Sequence, residues 1–295
     1  MSSAERAASI LPELKPEDIR VLMAVELGMA GFKSVPLNRI VKYANLNRQE
    51  VEFRISKLNK RGLLYGQEGP YVGYVLNYTG YDCLALNALV KAEVLEALGR
   101  SLGVGKESDV HEALTPGGDR VAVKFQRLGR VSFRDTRRKR SYTEDGSRVN
   151  WLYRSRLAAE KEFKGLRLAV GAGVSTPKPL HQNRHVLVMS YIDGYDLADV
   201  DSLDDPEGFL EDVLLNVRRA YSAGVIHADL SEFNIVVRPD GEVLLIDWPQ
   251  YVTIHHLNAE MLLRRDVHNV LKFFSSKFNV DRDLEEALEY VMQAD

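Results

Sequence analysis

The sequence predicts an α+β protein built from two modules, and three observations carry that prediction. Residues 16–61 place apolar side chains at helical spacing in three short runs, and residues 63–78 follow as two short strand-like runs around a Gly69-Pro70 turn. Residues 99–126 read as three strands broken by glycine-containing turns. From Pro206 onward, helical periodicities alternate with short apolar runs. A chain of 295 residues has room for two domains or three small ones, and 45% hydrophobic with 27% charged residues is the composition of an ordinary globular protein.

Composition excludes several classes. No run of 18 apolar residues exists, so no membrane span or membrane partner is expected. The start, MSSAERAASILPEL, carries Glu5 and lacks an apolar core, unlike a secretory signal. A single cysteine, Cys83, makes no internal disulfide, which points to a reducing, cytoplasmic location. The net charge of −3 hides an uneven distribution. Between Arg127 and Arg156 lie ten basic residues against three acidic ones, whereas 193–212 is acidic. Such polarity suits a polyanionic partner meeting one face.

In order along the chain, residues 16–31 open with Pro16, Glu17 and Asp18 in a first helical turn and carry Ile19, Leu22, Met23, Val25 and Leu27. A second helix is expected after Pro36. Asn47 is placed to cap a third, with Val51, Ile55 and Leu58 inward and Arg48, Glu52, Arg54, Lys57 and Lys60 outward, until Gly62 stops it. Three helices followed by a hairpin make a winged-helix module over residues 1–80, whose third helix would read a nucleic-acid groove through Arg48, Arg54, Lys57, Lys60 and Arg61. Against that reading, residues 1–90 hold 11 basic and 9 acidic side chains, a small surplus. A connecting helix is expected over 79–98, apolar on Cys83, Leu84, Leu86, Leu89, Val90 and Val94.

The second module is expected to hold a strand-rich lobe over 99–192 and a reduced helical lobe over 193–295. Its first turn, GVGKES, keeps only Gly103 and Gly105 of a GxGxxG loop, with Lys106, Glu107 and Ser108 following. It is not a P-loop either. A glycine turn lets backbone approach phosphates, with the Ser108 hydroxyl as a further donor, and Lys124 in VAVK would reach the α and β phosphates. Residues 128–150 are basic, rich in Gly and Ser and nearly free of core residues, which reads as a flexible loop. A helix from about Trp151 to Gly171 is expected to turn Leu157, Phe163, Leu166 and Leu168 inward. Either Glu160 or Glu162 would pair with Lys124, and we assign Glu162, in EKEF. The run 185–194 reads as a buried strand ending in a turn.

The chemistry centres on VIHADLSEFN, residues 225–234, followed by VLLIDWPQ. Asp229 stands two residues after His227 and five before Asn234, and Asp247 ends the next apolar run. That pattern supplies a carboxylate to accept a hydroxyl proton, with Asn234 and Asp247 to hold a metal. HxDxxxxN followed by a strand ending in Asp is the catalytic-loop and metal-Asp arrangement of protein-kinase-like phosphotransferases. A helix around 258–277 contains Arg265-Asp266, a pair that either holds the His227-Ala228-Asp229 turn from beneath or lies on the surface.

Together GVGKES, VAVK, EKEF, VMSYIDG, HADLSEFN, LIDWPQ and RRDV resemble the RIO family of atypical serine/threonine protein kinases, and the N-terminal module resembles the subfamily with a winged helix, at archaeal length. Trp248-Pro249 stands where ordinary kinases have Phe-Gly, Ser231 stands where they place a lysine near the γ-phosphate, and no APE element follows. The resemblance implies a truncated bilobal kinase domain that binds ATP with Mg²⁺ (or Mn²⁺), Met189, Ser190 and Ile192 bordering the adenine base, Asn234 and Asp247 as metal ligands, and Asp247 as a residue that is itself transiently phosphorylated. It further implies kinase and ATPase activity, a protein Ser/Thr acceptor including the chain itself, and a role with the precursor small ribosomal subunit and its rRNA. Two alternatives share parts of the pattern. A small-molecule phosphotransferase of the aminoglycoside or choline kinase type would need a larger C-terminal half than the roughly fifty residues after Asp247, and a nucleotide-sensing nucleic-acid-binding regulator would not need Lys124, Asp229, Asn234 and Asp247 together.

Overall fold

Ser2 and Glu5 open the first helix by bonding each other's backbone amides: Ser2 Oγ accepts from Glu5 N at 3.1 Å and Glu5 Oε2 from Ser2 N at 2.7 Å. This helix, α1 (Ser3–Ile10), was not anticipated, although its capping box was legible. The computed structural model describes residues 1–69, 71–128 and 151–293. The chain forms two units, residues 1–157 with 183–186 and residues 158–182 with 187–295. The expected Gly69-Pro70 turn and basic loop therefore fall, in Pro70 and in 129–150, outside the described residues.

In the first unit, Pro16 begins α2 (Pro16–Gly28), and the buried Asp18 carboxylate accepts from Lys15 N at 2.9 Å. There follow β1 (Val35–Pro36), α3 (Leu37–Ala44) and α4 (Arg48–Lys60), which Asn47 caps through Glu50 N at 2.8 Å. Next, β2 (Leu64–Gln67) and β3 (Gly73–Leu76) form the expected hairpin, and β1 adds to it in the antiparallel order β1-β3-β2. α5 (Tyr78–Lys91) is shorter than the expected 79–98. Glu93 takes a left-handed φ of 55°, Val94 N returns to Leu89 O, and Glu96 N already bonds Leu114 O. The helix stops where the backbone is needed for a sheet. Gly80 is required here, because a Cβ would lie 2.0 Å from Leu63 O.

β4 (Ala97–Val104), β5 (Ser108–Leu114) and β6 (Arg120–Gln126) form the expected antiparallel meander, with register shifts along β4. Just past β6, Arg127 is wholly buried and not part of a polyanion-binding face as its place in the basic stretch suggested. Its Nη1 and Nη2 donate to the two Asp82 oxygens at 2.6 and 2.9 Å, and its Nε to Asp109 at 2.9 Å. His185 Nε2 lies 2.7 Å from the same Asp82. One guanidinium thus joins α5, β5 and the residues before the last strand of the lobe. Burial pushes the Asp82 carboxyl up, but Arg127 and His185 outweigh it and hold it at about 2.

In α6 (Trp151–Gly171) the inward stripe differs from the expected one. Leu157 and Leu168 are exposed, and the buried positions are Leu152, Ser155, Ala159, Glu162, Leu166 and Ala169, spaced three and four apart, with Gly165 beside them. The second unit continues with neighbouring strands β7 (Pro179–Asn183) and β8 (Val186–Ser190), of which β7 was not anticipated, then β9 (Tyr195–Asp196) and α7 (Pro206–Ser222). β10 (Val225–Ile226), β11 (Ile235–Val237), β12 (Val243–Leu245) and β13 (Val252–Thr253) form two small sheets, β12-β11-β9 and β10-β13. α8 (Ala259–Phe278) and α9 (Leu284–Met292) pack on α7 and on each other.

Candidate active site

The loop between β10 and β11 carries His227, Ala228, Asp229, Leu230 and Asn234, and α8 grips it from beneath. Asp266, 1% exposed, accepts from Ala228 N at 2.6 Å and from Leu230 N at 3.1 Å. Arg265 donates to Ala228 O, and Asn269 Nδ2 donates to Leu230 O at 3.1 Å. The residues on either side of Asp229 therefore have their backbone groups taken up by α8, and the Asp229 side chain is exposed. Of the two readings of Arg265-Asp266, the holding one is correct. Asn269 was missed, though it lies three residues after Asp266 and so on the same helical face.

Ala228 holds a left-handed φ of 63° and Asp247 one of 66°. Such conformations in residues with a Cβ cost about 1–3 kcal/mol each and persist where neighbours over-determine them. At Ala228 the neighbours are Asp266 and Arg265. Beside Asp247 they are His227, whose Nε2 donates to Ile246 O at 2.9 Å, and Trp248, whose Nε1 lies 3.1 Å from Thr176 Oγ1 and 3.2 Å from Leu245 O. Trp248 is wholly buried, and Gly165 on α6 makes room for it: a Cβ there would come 3.2 Å from Trp248 and 2.7 Å from the Tyr251 ring.

Asn234 and Asp247 are brought close through their backbones, since Ile246 N donates to Asn234 O at 2.9 Å. Asn234 Nδ2 donates to the Asp229 carbonyl at 2.7 Å, which closes the loop on itself and leaves Oδ1 as the side chain's acceptor. Burial pushes the Asp266 carboxyl up to about 6, against the lowering effect of the two backbone N–H donors.

The remaining expected residues divide between the units. Gly103, Gly105 and Lys106 are exposed at the end of β4 and in the turn that Gly105 N closes on Ser108 O at 2.8 Å, Ser108 is half-buried, and Lys124 is buried on β6 opposite Val110. These belong to the first unit. Glu162, Met189, Ser190 and Ile192 belong to the second, with Asp229, Asn234 and Asp247. Glu162 is 1% exposed and Glu160 half-buried, so Glu162 lies on the inward stripe of α6. Ser190 is fixed to Lys178 by backbone and side chain, both at 2.9 Å.

The RIO domain family profile matches residues 109–287, and the profile described as Rio2, N-terminal, matches 11–92. The chain belongs to the Rio2 branch of the RIO kinase family. A serine/threonine-protein kinase rio2 of Dictyostelium discoideum is 40% identical over 266 residues, covering 90% of this chain and 51% of the relative, so the chain spans about half of that protein. The RIO-type serine/threonine-protein kinase Rio2 of Methanocaldococcus jannaschii is 38% identical over 273 residues, covering 89% of this chain and 99% of the relative. Among solved structures, the Rio2 kinase–ADP/Mg²⁺–phosphoaspartate complex of Chaetomium thermophilum is 35% identical with a TM-score of 0.84, over 96% of this chain and 88% of that one. The winged helix and kinase-like lobes expected from the sequence are those of this Rio2 family.

Proposed function

We propose that this Rio2 family member is an ATP- and Mg²⁺-dependent serine/threonine protein kinase and ATPase that acts with the maturing small ribosomal subunit. The observation that carries the reading is the Asp229 turn, gripped on both sides by α8, with the Asn234 carbonyl bonded to the amide of Ile246, the residue before Asp247. The donor chemistry fits magnesium: one carboxylate and one amide oxygen suit a cation that keeps several waters and takes further ligands from phosphates. Bound there, the ion would neutralise charge on the phosphates. Asn234 and Asp247 hold it, Asp229 accepts the proton of an attacking hydroxyl or orients water, and Lys124, Ser108 and the Gly103–Lys106 backbone position the triphosphate. Glu162 orients Lys124, while Met189, Ser190 and Ile192 border the base.

The Chaetomium complex contains phosphoaspartate. In this chain we assign that role to Asp247, whose left-handed backbone and Trp248 anchor hold the carboxylate at a set place. Incubation with labelled ATP should give a phosphoprotein that is labile to hydroxylamine and absent from Asp247→Ala. Asp229→Ala should lower ATP turnover at least about a hundredfold. A hydroxylamine-resistant label, or turnover unaffected by both substitutions, overturns the reading. For the ribosomal partner, support comes from the nine basic against three acidic residues over 128–156, Arg127 being buried. Turnover with and without small subunits, beside a panel of hydroxyl metabolites, distinguishes it from a small-molecule phosphotransferase.

A further inference from the structure

Between α6 and β7 the chain runs through Val174, Ser175 and Thr176 without regular structure, and Pro177 disfavours a helical backbone at Thr176. This stretch lies against the end of β12, within the second unit. Leu245 N donates to Ser175 O at 2.9 Å, and Ser175 N donates to Asn216 Oδ1 of α7 at 2.7 Å. Asn216 is 4% exposed, and its Nδ2 donates to Asp212 O at 2.8 Å, which sets the orientation of its amide. The connection is thereby tied to α7 on one side and to β12 on the other.

Thr176 adds a contact that backbone alone cannot make. Its Oγ1 donates to Leu245 O at 2.6 Å and accepts from Trp248 Nε1 at 3.1 Å. A hydroxyl has one proton and two acceptor sites, so both bonds are held at once. A buried threonine that only satisfies its own hydroxyl needs one partner, whereas this one bridges two residues three apart. Between them stands Asp247 with its left-handed φ of 66°. Leu245 is held in register opposite Ile235, and Trp248 is wholly buried. Without the hydroxyl, the indole keeps Leu245 O at 3.2 Å, a bond within the turn itself.

We propose that Thr176 is a positioning residue for Asp247. Its hydroxyl clasps the two ends of the Leu245–Trp248 turn and so sets where the Asp247 carboxylate stands for metal and phosphoryl group, an inference that rests on the role given to Asp247 above. Opening the clasp leaves Lys124, Asp229 and Asn234 untouched but relaxes the strained backbone at Asp247. Displacing a reacting group by about an ångström lowers rate up to about a hundredfold.

The test is steady-state ATP turnover by the full chain across Mg²⁺ concentrations, with wild type, Thr176→Val, Thr176→Ser and Asp247→Ala in parallel. Thr176→Val keeps the side chain's shape and removes its hydroxyl. Its kcat should fall about tenfold or more, while KM for ATP stays within about twofold and the Mg²⁺ needed for half-maximal turnover rises about threefold or more. Thr176→Ser retains the hydroxyl and should recover kcat to within about threefold of wild type. A threonine that merely stabilised the lobe would lower the melting temperature without separating kcat from KM. Trp248→Phe opens the same clasp from its other end and should show the same separation; it decides the question if Thr176→Val does not fold. The proposal is overturned if Thr176→Val keeps kcat within about twofold of wild type, or if Thr176→Ser loses as much as Thr176→Val. Asp247→Ala tells the two readings apart. If it turns over ATP like wild type, the assignment of Asp247 fails and Thr176 has nothing to position; if it is inactive and Thr176→Val is unimpaired, only the clasp fails.

Discussion

Asp266 is a buried carboxyl that acts through other residues' backbones. Because the two amides that donate to it bracket Asp229, Asp266→Asn leaves one of them with a poorer partner and loosens the turn. ATP turnover should fall about 10- to 100-fold, as expected for displaced reacting groups, with folding retained in circular dichroism. Its titration gives a second check. The folded value of about 6 lies above the ordinary 3.8, so its contribution to stability is full below about pH 4 and is lost as pH rises through about 6. The stability of wild type relative to Asp266→Asn should therefore decline across that window in urea denaturation. Arg127 has the opposite sign. The Asp82 carboxyl it holds at about 2 contributes stability above pH 3.8 that is lost as pH falls toward 2. Arg127→Met leaves Asp82 and Asp109 buried without their counterion and should cost about 3–5 kcal/mol at pH 7 by chemical denaturation.

At the scale of elements, α4 shows charged side chains of an expected reader helix paired with carboxylates of their own module. Arg54 was expected to face out, but it is 8% exposed and bonds Asp18 at 3.1 Å and Glu50 at 2.6 Å. Lys57 lies 2.6 Å from the same Asp18, Arg61 2.6 Å from Glu13, and Arg48 2.8 Å from Glu52. Burial pushes the Asp18 carboxyl up, yet Lys57, the Lys15 amide and Arg54 together bring it below its usual range. Asp18→Asn should cost about 1–3 kcal/mol, because Arg54 and Lys57 lose the charge they share. If α4 reads no groove, Lys60→Ala should leave affinity for a random DNA duplex unchanged in anisotropy measurements. α6 teaches a related lesson. Its buried stripe uses Ser155, Ala159 and Gly165, small residues that a search for large apolar side chains passes over. At Gly165, close approach of the Tyr251 ring and of Trp248, not side-chain bulk, selects the residue.

For the whole molecule, the basic stretch sets the expected electrostatics. Arg137→Glu with Lys139→Glu should weaken association with small-subunit particles and flatten its dependence on salt, read by sedimentation across an ionic-strength series. Unchanged affinity and slope would place the contact elsewhere. None of the described helices is long and apolar enough to cross a membrane.

The family, the candidate loop from His227 to Asn234, the hairpin and meander and nearly all helix starts were legible in the linear sequence. Each depends on local chemistry: a cap at Asn47, a turn at Gly117-Gly118, a fixed spacing from His227 to Asn234. What the sequence left open were pairings between residues far apart in the chain. That Asp266 serves Ala228 and Leu230, that Arg127 is buried between Asp82 and Asp109, and that Arg54 turns in to Asp18 all depend on which surfaces meet once the elements pack. A charged side chain looks the same in sequence whether water or a buried partner solvates it, and only the tertiary structure decides which one does.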